Sequence, residues 1–339
     1  MSLKLCVLCF LDRLGLNRLA YFIFRNSGVI LCYHGISIDD EHDFLPANYI
    51  RLETFKNKIE WMLQKGYIFI SLQEFLKKKE QGSLNCNEAV LTIDDGFRSS
   101  VEFMLPFLEE KRIPSTLYLT TKNAESPYPI FRLIFSYVIW KFQIKEFSTE
   151  DFGTKLGIDS MIETSDKEKM WEFIKHIENN FTPQQREEIF KKFLFQKNLN
   201  LDQEVYASFI LSSRDEIAKL GFKYVDIQLH THSHDMSLPL EKLKKDILIN
   251  EELISVFSDS DKKHFCYPSG VYEDKHIPML ESMNIESATT CQYGLVKTDT
   301  PNLELPRILD AENIPLLLFK AKLSGLFQIL IRIKNLFVP

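Results

Sequence analysis

The chain is poor in the residues that mark unusual architectures. It has only 12 glycines and 13 prolines in 339 residues, which excludes collagen-like and low-complexity chains. Its six cysteines, Cys6, Cys9, Cys32, Cys86, Cys266 and Cys291, are too widely spread for a disulfide scaffold. Cys6 and Cys9 form a CxxC, but no second pair or nearby histidine completes a zinc site, so packed or reduced thiols are expected. Positive charge is also in deficit. With 41 Lys+Arg against 47 Asp+Glu the net charge is -6, which speaks against a nucleic-acid binder. No window reaches the ~18 uninterrupted apolar residues of a spanning helix; the richest, Ile130–Phe142, is interrupted by Arg132, Ser136 and Lys141. The early apolar run Leu5–Leu11 is short and lacks a small-residue cleavage site. These absences give the expectation of a reduced, cytoplasmic protein. Internal repeats of about 20–50 residues are missing too, which disfavours solenoids and propellers.

What the chain does have is core material: 27 Phe, 12 Tyr and 45% hydrophobic residues rule out disorder. Short apolar runs of β type, Val29–Tyr33, Ala89–Ile93, Thr116–Thr120, Asp226–Leu229, His264–Tyr267 and Ala288–Cys291, alternate with helical segments. Between Glu53 and Lys65, Phe55, Ile59, Met62 and Leu63 share one helix face, and Arg98–Lys111 reads as a second helix. Such alternation predicts parallel strands covered by helices, as an open sheet or a barrel. More than 100 residues separate Thr120 from Asp226, too many for one crossover. A helical insertion is expected at about 125–200, with a helix starting at Thr182-Pro183-Gln184-Gln185. Both ends are basic and apolar. Lys4, Arg13, Arg18 and Arg25 face Asp12 alone at the N-terminus, and Lys320, Lys322, Arg332 and Lys334 face no acid beyond residue 315. The tail residues Leu316, Phe319, Leu323, Leu326, Leu330, Ile333 and Phe337 follow helical spacing, with Gly325 the weak point. Such ends either dock on the domain or lie on an anionic membrane surface.

Three segments place polar groups at the ends of apolar strands, where parallel sheets and barrels hold their sites. Val90-Leu91-Thr92-Ile93-Asp94-Asp95-Gly96 puts two carboxylates where burial is costly unless a positive group sits between them. His230-Thr231-His232-Ser233-His234 uses three of the chain's eight histidines in five residues. The first and last of these can turn toward one ion, with His232 pointing away, and zinc accepts imidazole nitrogen and carboxylate oxygen together. In His264-Phe265-Cys266-Tyr267-Pro268-Ser269-Gly270, Pro and Gly can present a backbone N–H near Ser269. Each alone has a structural explanation, as turn, strand end or satisfied core group. Their combination and order are specific.

That order resembles the polysaccharide deacetylase family, also called the NodB-homology family or carbohydrate esterase family 4. Thr92-Ile93-Asp94-Asp95-Gly96, His230-Thr231-His232-Ser233-His234 and Pro268-Ser269-Gly270 stand for its three motifs. Tyr33-His34-Gly35 and the stretches from Phe55 and from Leu105 are similar as well. The resemblance spans roughly residues 28–309 without the insertion. It implies an α/β fold, a distorted (β/α)7-type barrel over about 28–310, flanked by amphipathic segments at 1–27 and 311–339. It also implies one divalent metal ion, zinc first, with cobalt, nickel or manganese as alternatives, held by Asp95, His230 and His234. Asp94 falls on the general base, and Tyr267 and Ser269 on the substrate and oxyanion side.

Two departures matter. No histidine follows His276 and no tryptophan follows Trp171, so the late motif supplying the family's general acid is missing. His34 is the expected replacement, as in the subgroup with an early Tyr-His, acting from the side opposite Asp94, with His264 as a rival. Cys266 stands where many relatives carry an arginine paired with the base, and Arg307 is the candidate to replace it. The activity implied is removal of an N-acyl group, foremost acetyl, from an amino sugar. A cytoplasmic protein would meet a nucleotide- or lipid-linked precursor, and basic ends favour the lipid-linked one. A deformylase of a lipid-linked formamido sugar, or a sugar-binding protein without turnover, are the alternatives.

Overall fold

Seven stretches rich in β-branched and aromatic residues form a closed parallel barrel in the computed structural model, which describes residues 3–124, 126–152, 156 and 161–337. The barrel strands are β1 (Ser27–Tyr33), β2 (Glu88–Asp95), β3 (Ser115–Leu119), β4 (Val225–Leu229), β5 (His264–Cys266), β6 (Ser287–Tyr293) and β7 (Leu305–Leu309). Their order around the barrel is β1-β2-β3-β4-β5-β6-β7, and β7 closes on β1 through Leu31 opposite Ile308. The expected distorted (β/α)7 barrel is what forms. All residues of β1 and β2 are buried, as strands with both faces covered must be. β2 runs two residues past its expected end at Ile93, so Asp94 and Asp95 end the strand rather than follow it. β7 was not among the expected strands. Pro306 inside it breaks the sequence signal for a sheet interior.

Helices coat the barrel. Leu52–Gln64 buries Phe55, Ile59 and Met62 of the face that periodicity assigned to it, while Leu63, expected there as well, is exposed. The expected helix Arg98–Lys111 is shorter and divided into a widened turn, Ser100–Met104, and a regular helix, Leu105–Glu110. The insertion has its own core around Phe135, Phe147, Phe152, Phe173 and Phe193. Its helices are Phe131–Lys141, Lys167–Asn180 and Pro183–Gln196, the last begun by a capping box in which Thr182 and Gln185 satisfy each other's backbone N–H. That core continues through Val205 and Phe209 to Leu211, beyond the expected limit at 200, while Glu125 at the other limit lies outside the described residues.

The two chain ends pack on each other. Leu3–Arg13, Leu16–Ile23, Leu316–Leu323 and Leu326–Phe337 form a helical layer around Leu8, Ala20, Ala321 and Leu326. Ser324 Oγ donates to Asn17 Oδ1 at 2.7 Å inside it. The tail is two helices, not one. Gly325 separates them at φ 81°, and a Cβ there would lie 2.3 Å from the Phe24 ring. Phe24 just precedes β1, so this layer joins the N-terminal end of that strand. The side chains of Lys4 and Phe337 lie outside the described residues.

Candidate metal and hydrolysis centre

Strain collects at the C-terminal mouth of the barrel. Of the eight described non-glycine residues with positive φ, four, Asp95, Thr231, His234 and Ser269, belong to the three motif segments. Asp95 (φ 71°) and Gly96 (φ 89°) turn the chain sharply out of β2. A side chain at Gly96 would meet Leu119 at 2.4 Å, so glycine is required.

Asp94 and Asp95 then diverge. Asp95 Oδ1 lies 3.2 Å from Nε2 of both His230 and His234, and the ligand atoms of the three residues lie within 4.8 Å of one another. That carboxylate oxygen is buried, and no hydrogen bond of sound geometry satisfies it. His230 Nδ1 is 2.8 Å from the Cys266 carbonyl, so it must carry the proton and leave the Nε2 lone pair turned toward Asp95. One carboxylate oxygen and two imidazole nitrogens converging on a point is a donor set that fits zinc and similar first-row ions.

Asp94 is gripped instead by Arg307. Nη1 donates to Oδ1 at 2.8 Å and Nη2 to Oδ2 at 2.7 Å, a two-point pair with both partners buried. Arg307 is itself fixed through Nε to the Thr290 carbonyl at 2.9 Å and through Nη1 to Thr92 Oγ1 at 3.0 Å. Its Nη2 lies 3.2 Å from Cys266 Sγ, so the guanidinium from β7 occupies the space beside the cysteine in β5. Burial alone would raise the Asp94 pKa, but the guanidinium outweighs it and holds the carboxyl below its ordinary range.

His34, at the end of β1, has Nε2 3.9 Å from Asp94 Oδ2. It stands beside the carboxylate and not across from it, which corrects the expected approach. Burial lowers its pKa, with Asp94 opposing, so the ring is neutral near pH 7. His264 is not a rival. At the start of β5 it bonds Ser287 Oγ at 2.9 Å and Gln73 Oε1 at 3.1 Å. Tyr267 does not reach the centre either, because its hydroxyl donates to the Leu303 carbonyl at 3.0 Å and its ring stacks on Tyr272. Ser269 lines the same cleft as His234. His232 turns away, 2.9 Å from Thr121 Oγ1.

Sequence reading missed the residues that hold the histidine loop. Asp246 and Asn250 lie one turn apart on the buried face of the helix Leu240–Ser255. Asp246 Oδ2 accepts from the backbone N–H of His232 and Ser233 at 2.8 and 3.0 Å. Asn250 accepts from His230 N at 3.0 Å and donates to the Leu119 carbonyl and Thr121 Oγ1. Their only signal was two polar residues in register with Leu243, Ile247 and Ile254.

The closed parallel barrel and the aspartate–histidine–histidine cluster at its mouth are what the resemblance to polysaccharide deacetylases led one to expect. The particular likenesses agree. No family model matches the chain. Poly-beta-1,6-N-acetyl-D-glucosamine N-deacetylase of Staphylococcus epidermidis is 22% identical over 295 residues, covering 84% of this chain and 79% of that protein. Among solved structures, Streptococcus pyogenes deacetylase PplD in complex with acetate aligns with a TM-score of 0.57 at 15% identity, over 89% of this chain and 97% of that one. IcaB from Ammonifex degensii aligns with a TM-score of 0.54 at 14% identity, over 88% and 97%. The first two of these relatives are named as deacetylases, enzymes that hydrolyse amides.

Proposed function

We propose that this chain is a metal-dependent hydrolase that removes an N-acyl group, foremost acetyl, from an amino sugar of a cell-surface glycan or its precursor. The observation that carries this reading is the buried, unsatisfied Asp95 oxygen facing two imidazole nitrogens, beside a second carboxylate locked by an arginine. Asp95, His230 and His234 would hold the cation, zinc first. A divalent cation bound there supplies an acidified water and polarises the acyl oxygen.

The chain's own groups do the rest. Asp94 is kept ionised by Arg307, so it is always ready to accept the proton of the attacking water. The same pairing makes it a weak base. An amide also needs its nitrogen protonated before the C–N bond breaks. His34, neutral at rest and next to Asp94, takes up the proton that Asp94 receives and delivers it to the departing nitrogen. The Ser269 backbone, on the cleft wall, is the donor for the developing oxyanion.

Arg307 beside Cys266 also weighs against the alternative without turnover, because it brings from another strand an arginine to the place where Cys266 stands. A formyl group would meet the same machinery. We infer further that the terminal layer rests on an anionic membrane surface, on its inner face if the protein is cytoplasmic. Phe10 and Phe22 are 62% and 65% exposed there, and Arg13, Arg18 and Arg25 are exposed as well. The test of the chemistry is acetate or formate release, followed by mass spectrometry, from amino-sugar oligomers and from lipid- and nucleotide-linked amino sugars. Release from none of them would sink the proposal.

A further inference from the structure

Beyond the reacting centre, a cleft of about 590 Å³ runs from His234 and Ser269 to the helical insertion. Cavities of roughly 300–1,000 Å³ enclose ligands of drug size, so this one offers more room than a single sugar bound at the centre needs. Its far wall is built by the helix Lys167–Asn180, which contributes Trp171 and Lys175.

Trp171 differs from the core phenylalanines of the insertion; Phe195 is more exposed still, at 81%, but does not line the cleft. Phe135, Phe147, Phe152, Phe173 and Phe193 pack into one core, whereas Trp171 is 49% exposed and turned to the cleft. An indole left half bare costs apolar burial, and indoles recur where one face must meet a ligand and the other end stays wet. Lys175 Nζ lies 5.1 Å from its ring centroid, so a cation and a flat apolar face stand together. Lys122 joins them from the barrel side, on the segment whose backbone N–H donates to the His232 carbonyl at 2.9 Å. The two cleft arginines are engaged already. Arg132 pairs with Glu178 at 3.8 Å, and Arg186 donates to the carbonyls of Phe181 and Glu178.

We propose that Trp171, Lys122 and Lys175 form a subsite for the sugar next to the reacting one. That sugar lays its C–H face on the indole and turns an anionic substituent, carboxylate or phosphate, to the lysines. This rests on the deacylase reading and narrows it, making the preferred substrate an acidic oligosaccharide and not a free amino sugar. The specificity then resides in the insertion, while the barrel holds the chemistry.

The test is isothermal titration and acetate release with the full-length protein and four probes. These are N-acetylglucosamine, its neutral tetramer, an alternating N-acetylglucosamine–glucuronate tetrasaccharide, and uridine diphosphate N-acetylglucosamine. The wild type is expected to bind the tetramers more tightly than the monosaccharide, and the acidic probes more tightly than neutral ones of equal length. Trp171→Ala, at an exposed position, should weaken tetramer binding on the order of tenfold through KM, lowering the tetramer-to-monomer ratio of kcat/KM. A Lys122→Ala/Lys175→Ala variant should erase the preference for charge, and the probe that loses most identifies the anion. If Trp171 governs tetramer binding while no probe releases acetate, the subsite stands and the deacylase reading falls. Turnover with the same chain-length dependence in wild type and Trp171→Ala overturns the subsite.

Discussion

Asp94 and Asp95 are neighbours in the chain, yet the alternation of a strand sends them to different partners. Asp95 goes to two histidines and Asp94 to Arg307. Asp94→Asn should therefore keep one cation per chain while losing about 10²–10⁴-fold in turnover, since only a proton acceptor is removed. Metal content and acetate release measured on the same sample check both halves. Arg307→Met leaves the Asp94 carboxylate buried and unpaired, and should cost about 3–5 kcal/mol in denaturant unfolding. The Asp94→Asn/Arg307→Met double variant should lose less than the sum, because no lone charge is left inside; additive losses would deny the coupling. His264 gives a pH signature. Burial lowers its pKa, and its neutral ring is fully bonded. Between the folded value and the unfolded value of about 6.5, only the unfolded chain binds the proton, so stability must fall as pH drops below that value. His264→Gln should flatten the unfolding midpoint over this window.

Among the elements, the loops at the barrel mouth were legible and their supports were not. The three motifs could be read because their combination and order are specific, although each alone also reads as a turn, a strand end or a satisfied core group. Asp246 and Asn250 could not, because polar residues on a helix read as its solvent face until the fold turns them inward. Parallel strands under helices followed from the alternation and the barrel from the family resemblance, but β7 hid behind Pro306, and with it the geometry of Arg307. The helical insertion was legible from its length and from the Thr182 capping box, while its end was not, because Val205, Phe209 and Leu211 join its core from across an exposed turn. The tail's helical spacing was continuous through Gly325, and only the approach of Phe24 shows why it breaks there. Gly325→Ala should lower stability by about 1–3 kcal/mol, from the left-handed backbone and the clash together. An unchanged unfolding midpoint would mean that the layer is not held at this point.

At the scale of the whole molecule, the terminal layer joins the N-terminal end of β1, whereas the candidate centre opens at the C-terminal ends of the strands. A protein resting on its termini would turn its mouth away from the surface, an orientation that suits a glycan chain reaching outward better than a sugar held at the bilayer. Binding to vesicles containing anionic lipid should be strong at low salt and weaken as salt rises. Removing residues 315–339 should release the protein, and indifference of the full chain to such vesicles would confine the layer to a packing role. The central claim is that Asp95, His230 and His234 hold a cation on which amide hydrolysis depends. Its most direct measurement is acetate release from N-acetylglucosamine oligomers by chelator-stripped protein as zinc is added back. Turnover should rise from near zero to a plateau at one equivalent of zinc, and Asp95→Ala should stay flat throughout. Full activity in the stripped protein, or restoration of the Asp95→Ala variant by zinc, would contradict the account.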